Sequence, residues 1–277
     1  MKKYITLIFA AALMLAACNK QNPTPQFLPA PALAPYAQHV ELQTPTDGYA
    51  WVEFTEAGRY IIAKIKLEGT KANEPEYEYI TGNYWMQGDT YVLQNFGTVT
   101  LTGNSITITP TEEPPVQSTV TTTPQMEPTD LVTTVARTWV VDNIRVNLEH
   151  GGSAINITKP GCDFQVIMAE LKKNGMNVDP DAWAGYNVTD VVLTKAQTFM
   201  IEFTDANPAI GAFTLSQEGA FNYTISITNG DEALTGSGAG QLNLENNRLV
   251  IQMNIEVHKG EKTKSGSIVL FLSEPLT

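Results

Sequence analysis

Residues 97–109 read GTVTLTGNSITIT, and this stretch decides the class of the fold. Aliphatic residues alternate with small polar ones on both sides of Gly103-Asn104; they are Val99, Leu101, Ile106 and Ile108. A period of two is typical of a strand with one buried face, and a glycine–asparagine pair is typical of the turn between two such strands. The stretch therefore predicts a β-hairpin with one face in an apolar core.

Residues 240–255 repeat this pattern around Asn246-Asn247, with the aligned apolar positions 143 residues further along the chain. A second match joins FTEAGRYII at 54–62 to LTKAQTFMI at 193–201, with an offset of 139. Two matches in the same order, with loops of unequal length between them, predict two copies of one β-unit. The alternative is chance similarity between amphipathic strands.

Two proline-rich, low-complexity stretches divide the chain, and we expect a tether at 18–39 and a linker at 111–135. They leave a small β-module at 40–110 and a larger module at 136–277. About six strands are expected in the small module, which is few for a barrel, so its sheet is expected to be completed by docking on the larger module.

The larger module combines about eight predicted strands with one helix that Asp163 caps. Phe164, Ile167, Met168 and Leu171 form the apolar stripe of this helix. The fold class is therefore mainly β, with two β-modules, the second an antiparallel barrel with one helix. A β-sandwich is the alternative for the second module.

The N-terminus has the layout of an exported lipoprotein. Lys2 and Lys3 precede an apolar run that ends in LAAC at residues 15–18. This ending resembles the lipobox of bacterial lipoproteins, in which the leader is removed before the cysteine and the cysteine is acylated. We therefore expect residues 1–17 to be a signal peptide and Cys18 to anchor the chain to the outer membrane. An ordinary signal peptide with an incidental cysteine is the alternative.

No acidic residue occurs between the anchor and Glu41. Surface-exported lipoproteins of the Bacteroidetes often carry acidic residues directly after the anchor cysteine. The sequence therefore favours the periplasmic face of the outer membrane over the cell surface.

The composition excludes several classes of function. A formal net charge of −12 without a basic cluster argues against nucleic-acid binding. Cys162 is the only cysteine besides Cys18, so we expect a buried structural thiol and no disulfide within the mature chain. The three histidines, His39, His150 and His258, are far apart in sequence, which predicts surface residues and no metal site. No nucleophile or cofactor motif indicates an enzyme.

The Arg137-Thr138-Trp139 opening of the larger module, the many short strands after it and the lipobox leader together resemble the lipocalin-like lipoproteins of the Bacteroidetes, most of unknown function. The chain departs from lipocalins proper at Arg137, where they have a glycine, and in the position of its helix. The resemblance implies a barrel. Aromatic residues expected to point into such a barrel are the candidate ligand-binding residues: Trp139, Phe199, Phe203, Phe213, Phe221 and Tyr223.

The other aromatic residues permit a second interpretation. These residues are Trp51, Trp85, Trp183, Tyr84 and Tyr186. We expect them in the core or at a barrel rim, but they are also numerous enough to form a platform on which sugar rings stack. Tyr77 and Tyr79 alternate with Glu74, Glu76 and Glu78, which predicts a core face opposite an acidic, exposed face.

We therefore expect a non-catalytic binding module of the cell envelope, with a small apolar ligand as the first hypothesis. The alternative is a structural or interaction protein that contacts a glycan or another protein. A cavity inside the barrel favours the first hypothesis. An exposed row of Trp and Tyr, or an unpaired edge strand, favours the second. The sequence does not indicate the oligomeric state.

Overall fold

The computed structural model describes residues 37–66, 77–150, 152–229, 232–245, 248–259 and 262–275. The predicted signal peptide, Cys18, residues 19–36 of the predicted tether, Glu74, Glu76 and the Asn246-Asn247 turn lie outside these residues. Within the described part the chain is mainly β and forms two closed antiparallel barrels of eight strands each, with two helices. The predicted fold class is confirmed.

The first barrel contains β1 (Gln38–Thr46), β2 (Tyr49–Phe54), β3 (Arg59–Ile65), β4 (Tyr77–Gln87), β5 (Thr90–Leu93), β6 (Gly97–Thr102), β7 (Ser105–Pro110) and β8 (Val116–Thr122). It closes because β8 pairs with β1, with Val40 opposite Thr122. Part of the predicted linker is therefore the eighth strand, and the predicted tether ends where β1 begins. The sheet closes on itself and does not need the second module to complete it.

The predicted hairpin at 97–109 forms β6 and β7, with Val99 opposite Ile108. Val99, Ile106 and Ile108 are buried in the core of the first barrel, as the alternation predicts. Gly103 has φ +59 in the turn, a left-handed conformation that favours glycine.

Helix α1 (Asp130–Val135) connects the two barrels. The second half of the chain contains β9 (Thr138–His150), β10 (Ser153–Pro160), helix α2 (Phe164–Lys173), β11 (Val188–Leu193), β12 (Thr198–Phe203), β13 (Ala209–Leu215), β14 (Ala220–Asn229), β15 (Glu232–Glu245), β16 (Arg248–Lys259) and β17 (Lys262–Ser273). The second barrel consists of β9 and β11–β17, and it closes where β17 pairs with β9. The barrel, not the alternative sandwich, is therefore the architecture.

The second barrel differs from the first by an insertion between its first and second strands. This insertion contains β10, which pairs with β9, and the predicted helix α2. The side chain of Asp163 accepts a hydrogen bond from the Val166 backbone N–H and so caps α2, as predicted. Ile167 and Leu171 are buried in the barrel core.

The two predicted repeats occupy equivalent positions in the two barrels. Strands β6 and β7 are the sixth and seventh of the first barrel, and β15 and β16 are the sixth and seventh of the second. The other match covers the turn between the second and third strands of each barrel. In these turns the Thr55 and Thr194 hydroxyls accept the backbone N–H groups of Arg59 and Thr198 at 3.1 and 3.0 Å. This agreement supports the predicted duplication.

The barrels dock through the outer faces of β3, β11, β12 and β13. Ile61 of β3 packs with Val192, Met200 and Ile210 of the second barrel in a buried cluster separate from both barrel cores. Ile61 and Met200 are equivalent residues of the two predicted repeats, at the offset of 139 that the sequence match shows. The interface is therefore close to isologous, because it joins the same face of both units.

Candidate functional site

A cleft with a volume of about 650 Å³ lies between the two barrels. The first barrel supplies a wall that includes His39, Trp51, Tyr77 and Tyr79. The second barrel supplies residues of the β11–β12 turn, β12 and β13, and Thr123 of the connecting segment also contributes. This volume is in the range of small-molecule binding sites, and a junction between two domains is a common place for them.

The wall of the first barrel is a continuous line of rings, which we call the aromatic row: His39, Trp51, Tyr79 and Tyr77. His39 stacks on Trp51 with ring centroids 4.8 Å apart. Trp51 lies 5.8 Å from Tyr79, which lies 6.1 Å from Tyr77. The two tyrosines and Trp51 are half-buried, so each ring keeps part of its surface accessible.

Strand register explains why these rings meet. Trp51 of β2 is opposite Ala63 of β3, and Ala63 is opposite Tyr79 of β4. Because Ala63 is small and completely buried, the larger rings on either side contact each other above it. Glu41 of β1 is opposite Trp51 and adds a carboxylate beside the row.

A buried carboxylate links the aromatic row to the second barrel. The Glu53 side chain is 1% exposed, and its Oε2 lies 3.0 Å from His39 Nδ1. The Thr198 hydroxyl of the second barrel donates a hydrogen bond to the same oxygen. Glu53 Oε1 has no hydrogen-bond partner among the described residues. Because the carboxylate oxygen accepts a hydrogen bond from Nδ1, that nitrogen carries a proton, and Nε2 is the ring nitrogen that Glu53 does not bond.

The second barrel lines the cleft mainly with small residues. Ala196 precedes β12, and Gly211 and Ala212 lie on β13. Gly211 cannot carry a side chain, since a Cβ there would lie 1.8 Å from the Thr224 carbonyl oxygen. These residues leave space opposite the aromatic row.

Gln197 also lines the cleft and has an unusual backbone conformation. Its φ is +70, and the equivalent residue of the first barrel is Gly58, with φ +73. A left-handed residue other than glycine is strained by about 1–3 kcal/mol. The turn is held by hydrogen bonds from Gln197 N–H to Thr194 O at 3.1 Å and from Phe213 N–H to Gln197 O at 2.9 Å.

Charged groups are partly buried elsewhere in the interface. Arg59 of the first barrel donates to Glu202 of the second, and also to the Asn83 side chain at 3.0 Å. Burial raises the pKa of Glu202, and the neighbouring Arg59 opposes this shift. Burial likewise raises the pKa of Asp190, against the same arginine. Arg59 therefore compensates the burial of the Asp190 and Glu202 carboxyl groups only in part.

The six predicted ligand-binding residues lie inside the second barrel, as the sequence pattern indicates. Trp139, Phe199, Phe203, Phe213, Phe221 and Tyr223 are each at most 8% exposed. Phe221 contacts Phe199, Phe213 and Tyr223 with ring centroids 5.5–5.9 Å apart. These rings pack against one another, and their role in ligand binding stays a prediction.

Of three expectations about other residues, two are wrong and one is confirmed. His39 is not a surface residue, because it is bonded to Glu53 and covered by Trp51. Tyr77 and Tyr79 do not point into the first barrel but face the second one, since strand β4 places the other side of the sheet on the core. Cys162 is buried as predicted, and burial raises the pKa of its thiol to about 12.

Sequence reasoning missed the cleft because its residues come from distant strands. The available signal was strands that are apolar on both faces, such as YIIA at 60–63 and FMI at 199–201. Such runs indicate burial on both sides of a sheet, and hence a partner outside the barrel.

Within the described ranges, no cluster of three or more His, Cys, Asp or Glu side chains could hold a metal ion. The helices of that part of the chain are all too short or too polar to cross a membrane.

No protein-family model, no curated protein and no solved structure matches this chain. The resemblance to lipocalin-like lipoproteins therefore stays a prediction that rests on the residues quoted above.

Proposed function

We propose that this chain is an exported lipoprotein, anchored to the outer membrane through Cys18, that binds a ligand without catalysing a reaction. The leader and its LAAC ending support the first part. The observation that carries the second part is the aromatic row, whose partly accessible rings line a cleft of about 650 Å³ between two docked barrels.

The cleft is a better candidate than the interior of the second barrel. In the interior, the aromatic rings contact one another and are almost completely covered. In the cleft, rings with accessible surface face small residues across a space large enough for a ligand. A partly apolar surface with a few polar groups is the common composition of ligand-binding sites.

Native mass spectrometry of residues 19–277, purified without detergent from an envelope-targeted expression, tests this function. We expect a reproducible additional mass on the wild-type protein that Trp51→Ala abolishes. Trp85→Ala is the matched control, since Trp85 is 42% exposed on the same barrel but does not line the cleft, and it should keep the mass. A bare protein, still bare after incubation with an envelope extract, contradicts the proposed function.

A further inference from the structure

We infer that the ligand of the inter-barrel cleft is a neutral saccharide, whose sugar rings lie along the aromatic row; this inference rests on the proposed function. Sugar rings have an apolar face of C–H groups that packs on aromatic side chains and an edge of hydroxyl groups. The cleft offers both complements, because the rings of Trp51, Tyr79 and Tyr77 adjoin polar groups of both barrels.

The polar groups of the cleft suit hydroxyl groups. Glu41 is a hydrogen-bond acceptor, the Gln197 amide both donates and accepts, and Thr123 contributes a hydroxyl group. His39 adds a second ring nitrogen, Nε2, because Glu53 bonds Nδ1. A purely apolar ligand would remove these groups from water without giving them partners, at a cost in free energy.

The charged groups described in the cleft disfavour anionic ligands. Among the described residues that line it there is neither lysine nor arginine, and the exposed charged side chain among them is Glu41. The buried carboxylate of Glu53 lies directly behind His39 and Thr198. Fatty-acid carboxylates and phosphate groups would therefore meet negative charge, with no lysine or arginine among the described lining residues to compensate it.

Gln197 gives an independent argument for a polar ligand. The equivalent turn of the first barrel has Gly58, which adopts the same φ without strain. The second barrel has a strained glutamine at this position, and this residue lines the cleft. Strain of this kind clusters at functional sites, and the amide of a glutamine in the cleft wall can bind a sugar hydroxyl.

Isothermal titration calorimetry of residues 19–277 tests the saccharide class with named probes. These are the neutral hexaoses of glucose (β-1,4 and α-1,4), xylose, mannose and N-acetylglucosamine, with choline as the cationic probe and palmitate as the apolar anion. We expect binding of at least one hexaose, and neither choline nor palmitate should bind. Trp51→Ala should weaken hexaose binding at least tenfold, or about 1.4 kcal/mol, and Trp85→Ala should leave it unchanged.

Gln197→Gly separates a binding role from a structural one. Because glycine relieves the strained φ, this variant should melt at the same temperature as the wild type or higher, yet bind the hexaose about tenfold more weakly. Absence of hexaose binding, or hexaose binding that Gln197→Gly leaves unchanged, overturns the inference. Binding of choline or palmitate that depends on Trp51 also overturns the saccharide class but leaves the proposed function standing. A protein that carries no additional mass in native mass spectrometry contradicts the proposed function itself.

Discussion

Ile61 is the residue whose truncation should uncouple the two barrels. Its side chain is completely buried, yet it packs with Val192, Met200 and Ile210 of the second barrel, outside the core of its own barrel. Ile61→Ala removes three carbon atoms from this cluster. The loss of their burial, together with the cavity that remains, should cost about 2–4 kcal/mol.

The neighbouring residue supplies a matched control. Ile62 is equally buried but lies in the core of the first barrel, because successive residues of a strand point to opposite faces. Ile62→Ala should therefore destabilise the first barrel by a similar amount and leave the second barrel unaffected. Only Ile61→Ala should change the second barrel from a distance.

Hydrogen–deuterium exchange of the two variants distinguishes these effects, with urea denaturation as the measure of total stability. Ile61→Ala should accelerate exchange of the backbone amides of β12, Thr198–Phe203, whereas Ile62→Ala should accelerate exchange only in the first barrel. The reasoning is refuted if exchange in β12 is unchanged by Ile61→Ala, or if both variants affect β12 equally.

Three further predictions concern the interface and the second barrel. Arg59→Met should destabilise the docked protein by about 2 kcal/mol, since it leaves the Glu202 carboxylate without its partner. A double variant that also carries Glu202→Met should recover part of this loss in urea titrations. Strictly additive losses argue against a coupling between the two side chains. Burial raises the folded-state pKa of Asp190 and Glu202, so the folded state binds more protons than the unfolded state. The free energy of unfolding should therefore fall as pH rises from roughly 4 through these raised pKa values. Glu202→Gln should flatten this slope, and a free energy of unfolding that rises over the same interval contradicts the prediction. Cys162 should resist iodoacetamide at about pH 8 in the native protein and react in denaturant; rapid native labelling, followed by mass spectrometry, would show that the second barrel is open.

Local pattern was sufficient for most of the strands. The alternation in 97–109 predicts β6 and β7, and the apolar stripe after Asp163 predicts α2. Strand β8 was missed because Val116 and Val120, its buried aliphatic residues, are separated by polar residues in a proline- and threonine-rich segment. Its pairing with β1 comes from closure of the barrel, which a local pattern does not encode.

The candidate site could not be predicted in the same way. Trp51, Tyr79 and Gln197 are far apart in sequence, and they line one cleft only because the two barrels dock. Burial of an outward-facing residue such as Ile61 depends on that docking. Sequence alternation identifies which face of a strand is apolar, but it does not identify the partner that covers the opposite face.

We expect the ligand to occupy the cleft between the barrels and not the interior of the second barrel. Methyl NMR of isoleucine-labelled residues 19–277, titrated with fractions of an envelope extract, tests it most directly. Ile65 and Ile210 line the cleft, whereas Ile144 and Ile251 are buried inside the second barrel. A ligand in the cleft should cause saturable shifts of the Ile65 and Ile210 methyl signals with little change at Ile144 and Ile251. Shifts concentrated at Ile144 and Ile251 would contradict it and place the ligand inside the barrel.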